Sequence, residues 1–225
     1  MRFEDLNWMD VEEYLKHDDR LMIVVGACEQ HGYLSILTDV RIPQVLADAA
    51  SKQTGVLIAP TVNFGVSPYF LTYPGTISLR TSTLLQVVED IIRSAANVGF
   101  KRFVILNGHG GNNSVSDSLV ELSNLLPEIR VAWYSWWESH SVAAVAIKHN
   151  LTIEHAGWAE AFTFNRVADL PDEPKIPVKT TGMLNAKETR KAYGDGMFGG
   201  PYKVDDQIMA ELFQAALDDV LHLLA

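Results

Sequence analysis

A chain of 225 residues with 48% apolar side chains holds enough hydrophobic surface for one large domain spanning residues 1–225. Its 28 acidic against 18 basic residues give a formal charge of −10, which argues against a nucleic-acid or anionic-membrane surface as the main partner and favours a small-molecule substrate. A single cysteine, Cys28, excludes an internal disulfide or cysteine-built zinc site, and with no signal core and no long apolar run the reading is a soluble protein of the reducing cytoplasm.

In chain order, Asn7 can cap a first amphipathic helix reaching about Lys16. "RLMIVVGA" then reads as a central strand, and "RIPQVLADAASKQTG" as a helix with Pro43 near its start and Gly55 as its stop. "VLIAP" is a second strand. "TSTLLQVVEDIIRSAANVG" keeps a helical period through Leu84, Val88, Ile91, Ile92 and Ala95, and "RFVILN" is a third strand. "NSVSDSLVELSNLL" and "RVAWYSWW" add another helix and strand, and a last helix runs from about Asp205 to Leu224. Repeated strand–helix units predict a three-layer α/β fold, a mostly parallel sheet covered by helices on both faces, because parallel neighbours need crossover connections. Two segments break the rhythm with glycine and proline, Asn63 to Leu79 and "LPDEPKIPVKTTG", and long loops in compact domains often carry function.

Polar clusters fall where α/β sheets collect ligands, beyond the carboxyl ends of the strands. Glu29, His31 and Asp39 follow the first strand; "NGHGGNN" with His109 follows the third. Glu29 and His31 are two positions apart and point to one side of an extended chain, whereas Cys28 points to the other and reads as a small buried hydrophobe. A lone loop histidine is more often simply hydrogen-bonded, but two such clusters at equivalent strand ends suit a metal ion, and Asp39 has two oxygens with which to bridge a pair. "IEHAGWAEAF" sets His155 and Glu160 at the start of an expected helix; alone, Glu160 would read as an exposed helix acid. Backbone amides of Gly110 and Gly111 form a concavity suited to an oxyanion. Trp136 and Trp137 alternate across a strand, so at most one can face a pocket.

"GACEQHGYLSILTD", "YPGTISL", "NGHGGN", "HAGWAEAF" and "GMFGGPYKV" occur in an order and spacing that resembles the creatininase, or creatinine amidohydrolase, family over most of the chain. The resemblance implies an α/β fold, usually a homohexamer, with two divalent ions (zinc, manganese or iron). Matched residue by residue, it gives Glu29, Asp39 and His109 to one metal, and His31 and the bridging Asp39 to the other. Creatininase proper has a glutamate where this chain has Gly111, and Glu160 is the replacement ligand. His155 becomes the proton donor, and Ser78 a substrate contact. Tyr33, Leu34 and Ser35 replace the usual Pro-His-Leu-Pro stretch, and Tyr69 and Phe70 a Glu-His pair, so the pocket wall is expected to be more apolar and creatinine a poor default substrate.

The reaction expected from the resemblance is hydrolysis of a non-peptide carbon–nitrogen bond, in a cyclic amide, ureido compound or formamide, by a hydroxide bridging the metals. A formamidopyrimidine-ribonucleotide deformylase is the sharper alternative and would need a phosphate site. A catalytically idle, metal-binding member is the other.

Overall fold

The computed structural model describes residues Met1–Ala225. Four strands, β1 (Arg20–Val25), β2 (Leu57–Ile58), β3 (Arg102–Asn107) and β4 (Arg130–Ser135), form one parallel sheet in the order β2-β1-β3-β4. The chain also forms seven α-helices: α1 (Trp8–Tyr14), α2 (Thr38–Thr54), α3 (Thr81–Asn97), α4 (Ser114–Leu125), α5 (His140–Lys148), α6 (Ala186–Tyr193) and α7 (Asp206–Leu223).

Leu21 to Val25 are buried throughout because a parallel sheet with two covered faces leaves neither side to water. Their alternation divides the core. Met22 and Val24 join Val104 and Leu106 against α2, α5 and α7, while Leu21, Ile23 and Val25 join Phe103 and Ile105 against α3 and α4. The three layers follow directly from that division.

α2 leaves β1 toward β2 and lies on one face; α4 leaves β3 toward β4 and lies on the other. The connections therefore part between β1 and β3, and the carboxyl ends of those two strands open a crevice. Val25 and Asn107 are register partners at its floor.

Three local features differ from the sequence reading. α2 begins at Thr38, ahead of the expected start, and so contains both Asp39 and Pro43. Pro43 has no N–H to donate to the Asp39 carbonyl, and that bond is the only one its position must forgo. The helix expected after His155 is a single 3-10 turn, Trp158–Glu160, since Ala156 is left-handed (φ 57°) and Gly157 extended. Strand β4 stops at Ser135, so the two tryptophans sit in the following 3-10 turn, Trp136–Glu138. Helices α5 and α6 were not anticipated. Both are short and without strong start signals apart from Ser139 and Asn185, whose side chains cap them.

Candidate metal centre

The crevice is assembled from backbone contacts that only glycine permits. A Cβ on Gly108 would lie 1.8 Å from the carbonyl oxygen of Asp39, so the first turn of α2 rests directly on the end of β3. The asparagines of "NGHGGN" tie the neighbouring loops together. Asn112 donates to the Gly26 carbonyl and accepts from Val66 N–H, and Asn107 accepts from His109 N–H. Both are fully buried, and their amides take the place of water in satisfying backbone groups that the loops leave open.

Within this frame Glu29, His31, Asp39 and His109 are almost wholly buried, and Glu160 lies beside them. Asp39 is central. Its Oδ1 is 2.9 Å from His31 Nε2 and its Oδ2 is 2.9 Å from His109 Nδ1, while His109 Nε2 is 3.4 Å from Glu29 Oε2 and His31 Nε2 is 3.8 Å from Glu160 Oε1. Two groups of ligand atoms result, Glu29 with Asp39 and His109, and His31 with Asp39 and Glu160. Glu29, His31 and His155 make a third such group.

Both oxygens of Glu29, Oδ2 of Asp39 and Nε2 of His31 are buried without any hydrogen bond of acceptable direction. Lone pairs left this way in a dry interior are costly unless a cation occupies the space they face. The histidines are turned to match. His31 Nδ1 donates to the Glu29 carbonyl at 3.0 Å and His109 Nε2 to the Val66 carbonyl at 2.9 Å, which leaves His31 Nε2 and His109 Nδ1 free for a metal. Ser67 Oγ lies 3.2 Å from His109 Nε2. Mixed nitrogen and oxygen donors of this kind fit divalent first-row ions.

The electrostatics agree. Burial pulls the imidazoles down, but Asp39 and Glu160 raise His31 to about 10, and Glu29 and Asp39 raise His109 to about 9. Burial works against the Asp39 carboxylate, yet His31 and His109 hold it well below the usual carboxylate range. Burial raises Glu29, and it raises Glu160 to about 7. The carboxylates thus require buried positive charge, supplied by protons on the histidines when no metal does so. His155 is the exception: burial and His31 hold it well below its ordinary value, opposed only in part by Asp39 and the Gln30 backbone.

Glu160 Oε2 also accepts the Ala156 N–H at 2.6 Å, so the left-handed bend at Ala156 brings this acid inward. Gly111 lines the crevice beside His109. A Cβ there would lie 1.9 Å from the Val66 carbonyl, so the chain has no room at that position for the glutamate of creatininase proper.

A cavity of about 420 Å³ opens over the cluster. Val66, Pro68, Tyr69, Phe70, Trp137, Ile153 and Phe198 form its apolar wall, and Glu154, Ser67, Gly110 and Gly111 are among its polar lining. The Gly110 and Gly111 amides open a 3-10 turn, where the first N–H groups have no acceptor within the turn. His155 reaches the same cavity, stacked on Phe70 at 4.8 Å between ring centres. Trp137 faces the cavity, and Trp136 is buried in the core near Phe162. Ser78 stays outside it: its hydroxyl accepts from Ser67 N–H and donates to the Leu79 carbonyl, bracing the loop that carries Ser67. Cys28 donates to the Gly75 carbonyl, and burial raises its thiol, in keeping with a packing role.

Residues missed by sequence reasoning are Ser67, Phe198 and Gln30, the last hydrogen-bonded to His155. Gln30 carried a signal, since it stands between Glu29 and His31. Ser67 and Phe198 come from irregular loops, where no periodicity tells which way a side chain turns.

The fold has counterparts elsewhere. The crystal structure of a creatinine amidohydrolase superposes with a TM-score of 0.81 at 21% identity, covering 98% of this chain and 95% of that one. The creatinine amidohydrolase of Pseudomonas putida is 33% identical over 135 residues, 57% of this chain and 51% of that protein. The mycofactocin precursor peptide peptidase of Mycolicibacterium smegmatis is 36% identical over 99 residues, 41% of this chain and 40% of that protein. The matched stretches thus span about half the length of these curated relatives or less. Residues 4–224 match the family described as creatinine amidohydrolase, so the fold, the order of the motifs and nearly the whole length of this chain agree: it belongs to the creatininase family.

Proposed function

We propose that the protein is a metal-dependent hydrolase that cleaves a non-peptide carbon–nitrogen bond in a small molecule. The observation that carries this reading is the set of orphaned lone pairs on Glu29, His31 and Asp39, buried at the floor of an accessible cavity. Glu29, Asp39 and His109 would hold one divalent ion, and His31, Asp39 and Glu160 a second, with Asp39 shared. Two such ions would supply Lewis acidity and would lower the pKa of a water held there from 15.7 toward roughly 7. Related creatininase structures are described as a manganese form and a zinc–zinc form, which supports either ion here.

The protein's own groups then divide the remaining work. Gly110 and Gly111 line the cavity at the start of a 3-10 turn, and their amides would suit the oxyanion of a tetrahedral intermediate. His155 lines the same cavity and would meet a substrate there. Phe70, Trp137 and Phe198 give a flat molecule aromatic surfaces and exclude water from the reacting bond.

No lysine or arginine lines the cavity. An archaeal relative is named as a formylaminopyrimidine ribonucleotide deformylase, but a phosphate in this cavity would meet Glu154 and no lysine or arginine. That favours an unphosphorylated cyclic amide, ureido compound or formamide. The homohexamer belongs to the same proposal, with exposed Trp8, Met9 and Val98 as apolar surface available for subunit contact. No helix is long and apolar enough to cross a membrane.

The test is metal analysis joined to hydrolysis of a panel: cyclic amides, ureido compounds, formamides and, because one relative is named a peptidase, a short peptide. Close to two ions per chain and metal-dependent hydrolysis within the first three classes, by ring opening or by release of an amine or acid, are expected. Fewer than one ion after reconstitution with zinc, manganese or iron, or turnover of the peptide alone, overturns the reading.

A further inference from the structure

Gln30 lies between two proposed ligands, is 5% exposed, and has its side-chain amide held at both ends by backbone. Oε1 accepts the Gly32 N–H at 3.0 Å, and Nε2 donates to the Gly196 carbonyl at 3.1 Å. These partners settle which end of the amide is which, since a flipped amide would set oxygen against the Gly196 oxygen and NH2 against the Gly32 N–H. The loop carrying Gly196 is itself pinned. Lys175 Nζ donates to the carbonyls of Tyr193 at 2.5 Å and Met197 at 2.8 Å, and to the Asp195 carboxylate.

With the amide fixed, Gln30 Nε2 also stands 2.9 Å from His155 Nε2. An amide nitrogen only donates, so His155 Nε2 must accept, and the proton of the neutral ring must sit on Nδ1. Nδ1 is the nitrogen on the metal side, 3.7 Å from Glu29 Oε1. The ring has little freedom to turn over. Phe70 stacks on it with an interplanar angle of 14°, and Phe198, itself stacked on Tyr193, packs with a centroid distance of 4.9 Å.

We propose that Gln30 is a positioning residue that fixes His155 as its Nδ1–H tautomer, so that His155 offers the substrate a hydrogen-bond donor rather than offering a metal its lone pair. This rests on the reading above only in placing the substrate beside His155. Ligation through Nδ1 would need a proton on Nε2, aimed at the Gln30 N–H. The third group of ligand atoms, Glu29 with His31 and His155, is thereby removed as a metal site. Proton transfer is disfavoured by the same contact: losing the Nδ1 proton leaves an imidazolate, and gaining one on Nε2 sets two donors face to face. A neutral imidazole that polarises an oxygen remains. This narrows the proton-donor role expected from the sequence to hydrogen-bond donation.

The experiment is 15N spectroscopy of the zinc-loaded protein with labelled histidine, the His155 signals being those lost in His155→Asn. Wild type is expected to show protonated Nδ1 and unprotonated Nε2. Gln30→Glu, whose carboxylate accepts, is expected to move the proton to Nε2, and Gln30→Met to yield a mixture of tautomers. Protonated Nε2 or a zinc-bound Nδ1 in wild type overturns the proposal, as does a Gln30→Glu spectrum identical to wild type. Should Gln30→Glu fail to fold, the wild-type and Gln30→Met spectra decide. No substrate enters the measurement, so its outcome is separate from that of the hydrolysis panel.

Discussion

Gly108 has no side chain where the Asp39 carbonyl oxygen stands: a Cβ would fall 1.8 Å from it, with Pro43 Cγ another 2.8 Å away. One backbone contact therefore joins the end of β3, which carries His109, to the first turn of α2, which carries Asp39. The same contact sets the spacing of two proposed ligand residues from distant parts of the chain.

Gly108→Ala should accordingly be costly. Overpacking usually costs about 1–3 kcal/mol, and a clash with backbone lies at or beyond the upper end. For a chain of this size about 3 kcal/mol is a fall in Tm of roughly 6–12 °C. Thermal unfolding of the metal-free protein checks this, and an unchanged Tm would mean that α2 does not rest on β3.

Metal stoichiometry separates the roles of the two carboxylates. Asp39→Ala is expected to lose both ions, because Asp39 alone belongs to both ligand groups, whereas Glu160→Ala should lose mainly one. Elemental analysis after gel filtration measures each. Wild-type content in Glu160→Ala would leave Glu160 as a brace for the Ala156 N–H and nothing more.

Much of the fold is legible in the amino-acid sequence. Alternating strands and helices predict the three layers, because periodicity and strand spacing survive in any context, and the convergence of Glu29, His31, Asp39 and His109 is legible in their placement at strand ends. What remained hidden depended on contacts across long loops. Ser78 looked like a substrate contact from its motif, yet its hydroxyl is spent on Ser67 N–H and the Leu79 carbonyl. Glu160 read alone as a helix acid, and only the left-handed Ala156 turns it inward. Helical periodicity cannot announce a bend that a single residue makes.

The loop carrying Gly196 gives a pH prediction. Burial works to raise the Asp195 carboxyl, but Lys175 and the Tyr202 hydroxyl together bring it below its ordinary value. A carboxyl depressed on folding adds stability that is present above its unfolded pKa, about 3.9, and is lost as pH falls through the folded value. Asp195→Asn is expected to cost about 1–2 kcal/mol at pH 7, and the gap from wild type should close as pH drops below about 4. Urea unfolding at several pH values checks the sign. A gap that widens in acid would show that Asp195 is not held in its charged form.

His155→Ala tests the division between ligands and the catalytic wall. Because Gln30 occupies Nε2, removing the imidazole should leave both ions bound and the fold intact, while the substrate loses a donor near its developing oxyanion. Loss of one such donor costs on the order of 10²–10³ in kcat. KM should change much less, since the interaction strengthens only as charge develops on the reacting oxygen. The measurement is kcat and KM on the best substrate from the panel, with metal content determined on the same sample. A variant that releases an ion makes His155 a ligand, and one that raises KM with kcat unchanged confines the ring to ground-state binding. A fall in kcat alone, at full metal content, is the outcome that a fixed Nδ1–H donor requires.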